Sequence, residues 1–228
     1  MHQMSFFKSD TPIFRKKTLS IDVQSLPGVR VVNWQIGNIK LYSTFYTQFD
    51  QACILWGLLS AVIFGTAQFL PLNWGVQAIL WSAVTLVGTV AMVVLTQCSV
   101  RVERLSWVVY CWVILMLGGL AVTDLSIFLS WGGVLTHLCA LWLGLIAFGY
   151  LFTGLGMQSR AMIFIGLVHL LGISILPYVG AWQFLTTGVV MLSTLLLLAE
   201  LRWDMRPSVS PELLTGEQNQ FSQEQYQI

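Results

Sequence analysis

Charge is what this sequence lacks most. Only 9% of its 228 residues are Asp, Glu, Lys or Arg, while 56% are hydrophobic. A soluble domain carries about a quarter charged residues, so this chain has too few to coat a water-facing globule. Its net charge of +1 leaves no basic footprint for nucleic acid, and no nucleic-acid partner is expected. The four cysteines, Cys53, Cys98, Cys111 and Cys139, lie in or at the ends of apolar runs without a C-x-x-C, which argues for small apolar membrane residues rather than a disulfide framework. The chain also lacks H-E-x-x-H, G-x-S-x-G, a Walker loop and paired carboxylates within an apolar run. An enzyme therefore has no motif to rest on, and neither a metal nor another cofactor is expected. An apolar core near the start, as in a secretory signal, and the N-myristoylation pattern are missing as well.

What the chain has is long apolar runs. A helix needs about 20 apolar residues to cross a hydrocarbon core of roughly 30 Å. Six segments meet that length or approach it: Ala52–Leu70, Val76–Thr96, Leu105–Thr123, Val134–Gly154, Ala161–Leu176 and Trp182–Leu201. The fold class predicted is all-α, a polytopic integral membrane protein of six transmembrane helices in contact with the lipid bilayer. Residues 125–133 are apolar enough to continue the third helix, and are read as an outer loop or a short interfacial segment.

Lysine and arginine supply an independent map. Lys8, Arg15, Lys16, Lys17, Arg30 and Lys40 precede the first segment; Arg101 and Arg104 follow the second; Arg160 follows the fourth; Arg202 and Arg206 follow the sixth. These are all eleven. Basic residues are retained on the cytoplasmic side, so both termini are expected there. Trp74, Trp131 and Trp182 fall at the opposite ends, at headgroup depth.

The chain divides into three parts. Residues 1–50 form a cytoplasmic segment, 51–203 the membrane domain, and 204–228 a glutamine-rich tail expected to be disordered. Within the first, alternating residues around Gly37-Asn38 predict a β-hairpin over 29–42. Glu200, Arg202, Asp204 and Arg206 around Trp203 read as solvated anchors.

Gly57, Ala61 and Gly65 follow Cys53 at four-residue steps. Small residues at that spacing permit close helix approach in lipid, within the chain or against a membrane-protein partner or a second copy. Cys53-Ile-Leu-Trp56 and Cys139-Ala-Leu-Trp142 resemble each other, but four residues from a biased alphabet are explained by chance.

Ionisable residues inside a membrane are expensive and are functional candidates by default. Three qualify: Asp124 at the outer end of the third helix, His137 near that of the fourth, and His169 near the middle of the fifth. Asp124 and His137 lie at similar depth and suit a carboxylate–imidazole pair or a polar cavity mouth; the structural alternative is headgroup-level helix ends. His169 invites a haem ligand, against the alternative of a buried ring bonded to a backbone carbonyl. Thr85, Thr89, Ser193 and Thr194 are candidates to line a neutral solute path. Two functional readings follow. The first is a non-enzymatic assembly or accessory component of a larger complex; the second is a small permease for a neutral or weakly charged solute.

Overall fold

The computed structural model describes residues 12–17, 30–36, 39–102 and 106–204. Six long helices dominate: α1 (Gln48–Phe69), α2 (Trp74–Val102), α3 (Ser106–Phe128), α4 (Leu138–Gly156), α5 (Arg160–Ile175) and α6 (Gln183–Glu200). Each of these, α5 and α6 together with their flanking 3-10 turns, is long and apolar enough to cross a bilayer. The chain is a multi-pass integral membrane protein. Its outward faces carry Ile79, Val87, Ile114 and Leu171, each at least 60% exposed; apolar surface this extensive is compatible with lipid rather than water.

The helix ends follow from local chemistry. α1 begins at Gln48, before its apolar run, because Thr47 and Asp50 form a capping box: each side chain accepts the other's backbone N–H. α3 continues through Leu125–Phe128, which corrects the loop reading of that stretch. Here the apolar period persists, and the buried Ser126 bonds back to the Val122 carbonyl, so its hydroxyl is satisfied within the helix. The chain then breaks at Ser130, with φ +54°, and makes one helical turn over Gly132–Leu135. α4 therefore starts at Leu138, later than its apolar run suggests.

Neighbouring helices pack in chain order, and α6 closes the bundle against α1. A Cβ added at Gly188 of α6 would sit 2.9 Å from Phe64 Cβ of α1, and one at Gly57 would sit 3.3 Å from Leu192 Cδ1. Two of the other contacts, α1 with α2 and α3 with α4, share a device. Trp56 and Leu59 of α1 straddle Gly88 of α2, and the Trp56 indole N–H donates to Met92 Sδ, one turn on (3.2 Å). Trp142 and Leu145 of α4 straddle Gly119 of α3, and the Trp142 N–H donates to Thr123 Oγ1, again one turn on (3.1 Å). The two tryptophans are those of the resembling tetrapeptides. The bare glycine admits the ring and leucine, and the residue four positions later satisfies the indole.

One end of the bundle carries the described strands. Strand β1 (Phe14–Lys16) pairs antiparallel with β4 (Leu201–Trp203), directly after α6. Strands β2 (Arg30–Ile36) and β3 (Ile39–Tyr46) pair antiparallel with a shift between Trp34 and Gln35; residues 37 and 38, where the turn was expected, lie outside the described residues. So does the tail beyond Asp204. At the opposite end Trp74, Trp131 and Trp182 are exposed.

Candidate functional site

The polar candidates find separate partners. Asp124 on α3 accepts from Ser82 Oγ on α2 through both carboxylate oxygens, at 3.0 and 2.8 Å. His137 is exposed, and its Nδ1 lies 2.9 Å from the Gly133 carbonyl and 3.0 Å from Thr136 Oγ1. In place of the candidate carboxylate–imidazole pair there are one interhelical bond and local bonds at His137, in keeping with the structural alternative. His169 is fully buried. Its Nδ1 lies 2.9 Å from the Ile165 carbonyl; because a carbonyl only accepts, Nδ1 carries the proton. The ring rests against Tyr150 at 5.3 Å, and Nε2 has no hydrogen-bond partner among the described residues.

A cavity on the bundle axis gathers side chains from all six helices. Its volume is about 90 Å³, and its wall includes Phe49, Cys53 and Trp56 of α1, Met92 of α2, Trp112 of α3, Tyr150 of α4, Met162 of α5 and Leu198 of α6. A second cavity, of about 50 Å³, lies toward the far end among Phe64, Trp81, Thr85, Leu138, Trp142 and Phe184. Both use Trp56, Ser60, Met116, Ile146 and Met191, so these five side chains form the partition between them. Asp124, His137 and His169 line neither cavity. Neither has room for a porphyrin at His169.

The four hydroxyl candidates divide. Thr85 is on the wall of the second cavity. Thr89 and Thr194 are buried and donate to the carbonyls of Thr85 and Val190. Ser193 is exposed on the outer face and donates to Val189. This back-bonding satisfies hydroxyls where water is absent. Of the small-residue stripe, Gly57 faces α6, while a Cβ at Gly65 would meet nothing within 4 Å.

Two ionic clusters close the strand-bearing end. Lys17 is buried; its Nζ donates to Asp50 Oδ2 and to the Ala199 carbonyl, both at 2.6 Å, and to the Phe45 carbonyl at 3.4 Å. It lies 5.4 and 5.3 Å from the Phe45 and Tyr46 ring centroids. One cation thus meets the carboxylate that caps the start of α1 and a free carbonyl at the end of α6, where a helix favours positive charge. Asp204, read from sequence as a solvated anchor, is buried instead. Oδ1 accepts from the Ala161 N–H at 2.9 Å and from Ser159 Oγ at 3.2 Å. Oδ2 accepts from Arg160 through its backbone N–H at 3.1 Å and its Nε at 2.9 Å. Burial alone would raise the Asp204 pKa. The bonds from Arg160, Ala161 and Ser159 outweigh it and hold the carboxyl below its ordinary value. Neither cluster was anticipated. Thr47-Gln-Phe-Asp50 was a visible capping signal, but Lys17 and Asp204 have partners 28 to 182 residues away.

Among the described residues, no group of three or more His, Cys, Asp and Glu side chains is placed to hold a metal. Compared with known protein families, curated proteins and solved structures, the chain matches none. The fold and its interior define the class: a six-helix multi-pass membrane protein with its larger axial cavity among all six helices.

Proposed function

We propose that the protein is a small non-enzymatic permease that passes a compact, neutral or weakly charged solute along the bundle axis. The observation that carries this reading is the pair of adjoining cavities, which share Trp56, Ser60, Met116, Ile146 and Met191 on their walls. Size limits the solute. An apolar cavity of about 150 Å³ accepts benzene, whereas the larger cavity here is about 90 Å³, so the solute has few heavy atoms. The partition is adaptable, because methionine has three rotatable bonds and a soft thioether. In this reading the strand-bearing end faces the cytoplasm, in keeping with the basic residues at every turn on that side.

Proteoliposomes test it by light-scattering relaxation across a panel of small neutral solutes. Wild-type vesicles are expected to equilibrate faster than empty ones for at least one solute. Ser60→Trp, which fills the partition, is expected to return the rate to baseline, while Ser193→Trp on the outer face leaves it unchanged. Equal rates in wild-type and empty vesicles across the panel, or an unaffected Ser60→Trp, reject the permease.

An assembly role, the first of the two sequence readings, draws on the hairpin. Among the described residues β2 and β3 pair only with each other, which leaves two strand edges able to accept another chain. It predicts a stable partner in gentle detergent extracts that is lost when Val32→Pro blocks an edge. A monodisperse single species counts against it.

A further inference from the structure

The methionines are not spread through the bundle. The sequence has eight, of which five fall among the described residues: Met92, Met116, Met157, Met162 and Met191. All five are buried, and all five line the first cavity. They come from α2, α3, α5, α6 and the turn after α4, so no local sequence bias explains their meeting. Cys53 stands on the same wall and shares a packed cluster with Met162.

Thioethers and a thiol are soft donors. Such ligands select soft d10 cations, Cu(I) above all among biological metals, and disfavour hard ions that need carboxylate or carbonyl oxygen. The absence of a His, Cys, Asp and Glu cluster among the described residues fits that preference. Volume agrees, because a single ion with its donors needs far less room than an organic ligand. Charge also balances. A bare monovalent cation in an apolar cavity carries a large desolvation cost, but if the Cys53 thiol binds the ion as thiolate and gives its proton to solvent, the complex is neutral. Asp50, one turn before Cys53, does not supply that charge, since it is already paired with Lys17.

We infer that the first cavity is a binding site for a soft monovalent cation, Cu(I) or its analogue Ag(I), held by the Cys53 thiolate and the surrounding methionine thioethers. This rests on the permease reading for its role as a solute site, and departs from the sequence-based expectation of no metal. Bond formation is a simple exchange: sulfur–metal forms, sulfur–hydrogen breaks, and one proton leaves without change of oxidation state.

The experiment uses the full chain in detergent with Cys98, Cys111 and Cys139 replaced by alanine, titrated with silver nitrate against a competing chelator and read by native mass spectrometry. One silver ion per chain is expected, with one proton released. Cys53→Ala is expected to abolish binding. The pair Met162→Leu and Met191→Leu, which keeps the wall apolar and its volume close, is expected to weaken binding by at least about tenfold, the scale on which even supporting ligand contacts act. Absence of stoichiometric silver on folded protein overturns the inference, as does equal affinity in the double Met→Leu variant, which would reduce the site to a bare thiol. The same variants in the vesicle assay separate the two claims. Solute flux without silver binding removes the ion and leaves the path. Silver binding without flux of any solute, silver included, removes the path and leaves the ion.

Discussion

Asp204, the residue following β4, sits over the first turn of α5, where its Oδ1 accepts the Ala161 N–H at 2.9 Å. A carboxylate at a helix N-terminus satisfies free N–H groups and meets the positive end of the helix dipole. Here it belongs to a different segment, so it fixes the end of α6 to the start of α5. Asp204→Ala should lower stability by about 1–3 kcal/mol, as expected for unsatisfied buried donors, seen as a lower melting temperature in detergent.

The same residue sets a pH limb. Its folded pKa lies below the ordinary 3.8, so its contribution is fully present above that value. It is lost as pH falls through the lowered folded value. Wild-type protein should therefore lose stability steeply below about pH 4, whereas Asp204→Asn, weaker at neutral pH, should decline less over the same window. Parallel thermal scans from pH 7 to 3 check this; identical slopes would show that Asp204 is not the titrating group.

Lys17 and Asp50 form a buried pair, with side chains 5% and 6% exposed. Removing one partner of such a pair leaves a buried charge and costs about 3–5 kcal/mol, while replacing both with apolar residues costs little. Lys17→Met and Asp50→Leu should each destabilise strongly, and the double variant should recover part of the loss. Asp50→Leu also removes the capping box, so its recovery will be the less complete. A double-mutant cycle in denaturant reads the coupling.

Adjacent glycines in α3 should respond oppositely to alanine. At Gly119 a Cβ would lie 2.8 Å from Leu145 Cδ1 and 3.1 Å from the Trp142 ring, while at Gly118 it would meet nothing within 4 Å. Gly119→Ala should cost about 1–3 kcal/mol through overpacking. Gly118→Ala should be neutral or gain up to about 1 kcal/mol from helix propensity. Thermal melts of both variants suffice.

His169→Leu should leave solute flux unchanged and stability equal or higher. The imidazole is off both cavity walls, and leucine removes the buried Nε2 that has no partner among the described residues. Loss of flux with normal protein yield would return His169 to the transport path.

The six crossings were readable because lipid imposes one strong rule, about 20 apolar residues per span, and the chain obeys it from Ala52 to Leu201. Boundaries were less so. Following apolarity alone places the start of the first helix at Ala52, four residues inside the Gln48 start that Thr47 and Asp50 set, and Leu125–Phe128 offered no local stop and was misplaced. The interior was hidden for a different reason. In segments apolar all round, no stripe tells which face of a helix turns inward. The meeting of Met92, Met116 and Met191 depends on the rotation of three helices, each set by partners such as Gly88, Gly119 and Gly188. Asp204 and Lys17 looked like surface charges because their partners are remote in sequence.

The pairing of β1 with β4 has a consequence for biogenesis. Strand β1 leaves the ribosome long before its complement, which is complete only after residue 203 has been made. At about 5–20 residues per second, Phe14 through Lys17 wait some 10–40 seconds, with a lysine destined for burial still hydrated and an unpaired strand available to any neighbouring chain. Closure of the ring thus waits for β4, and a ribosome stalled within α6 would release a protein with every earlier helix complete and its clasp undone.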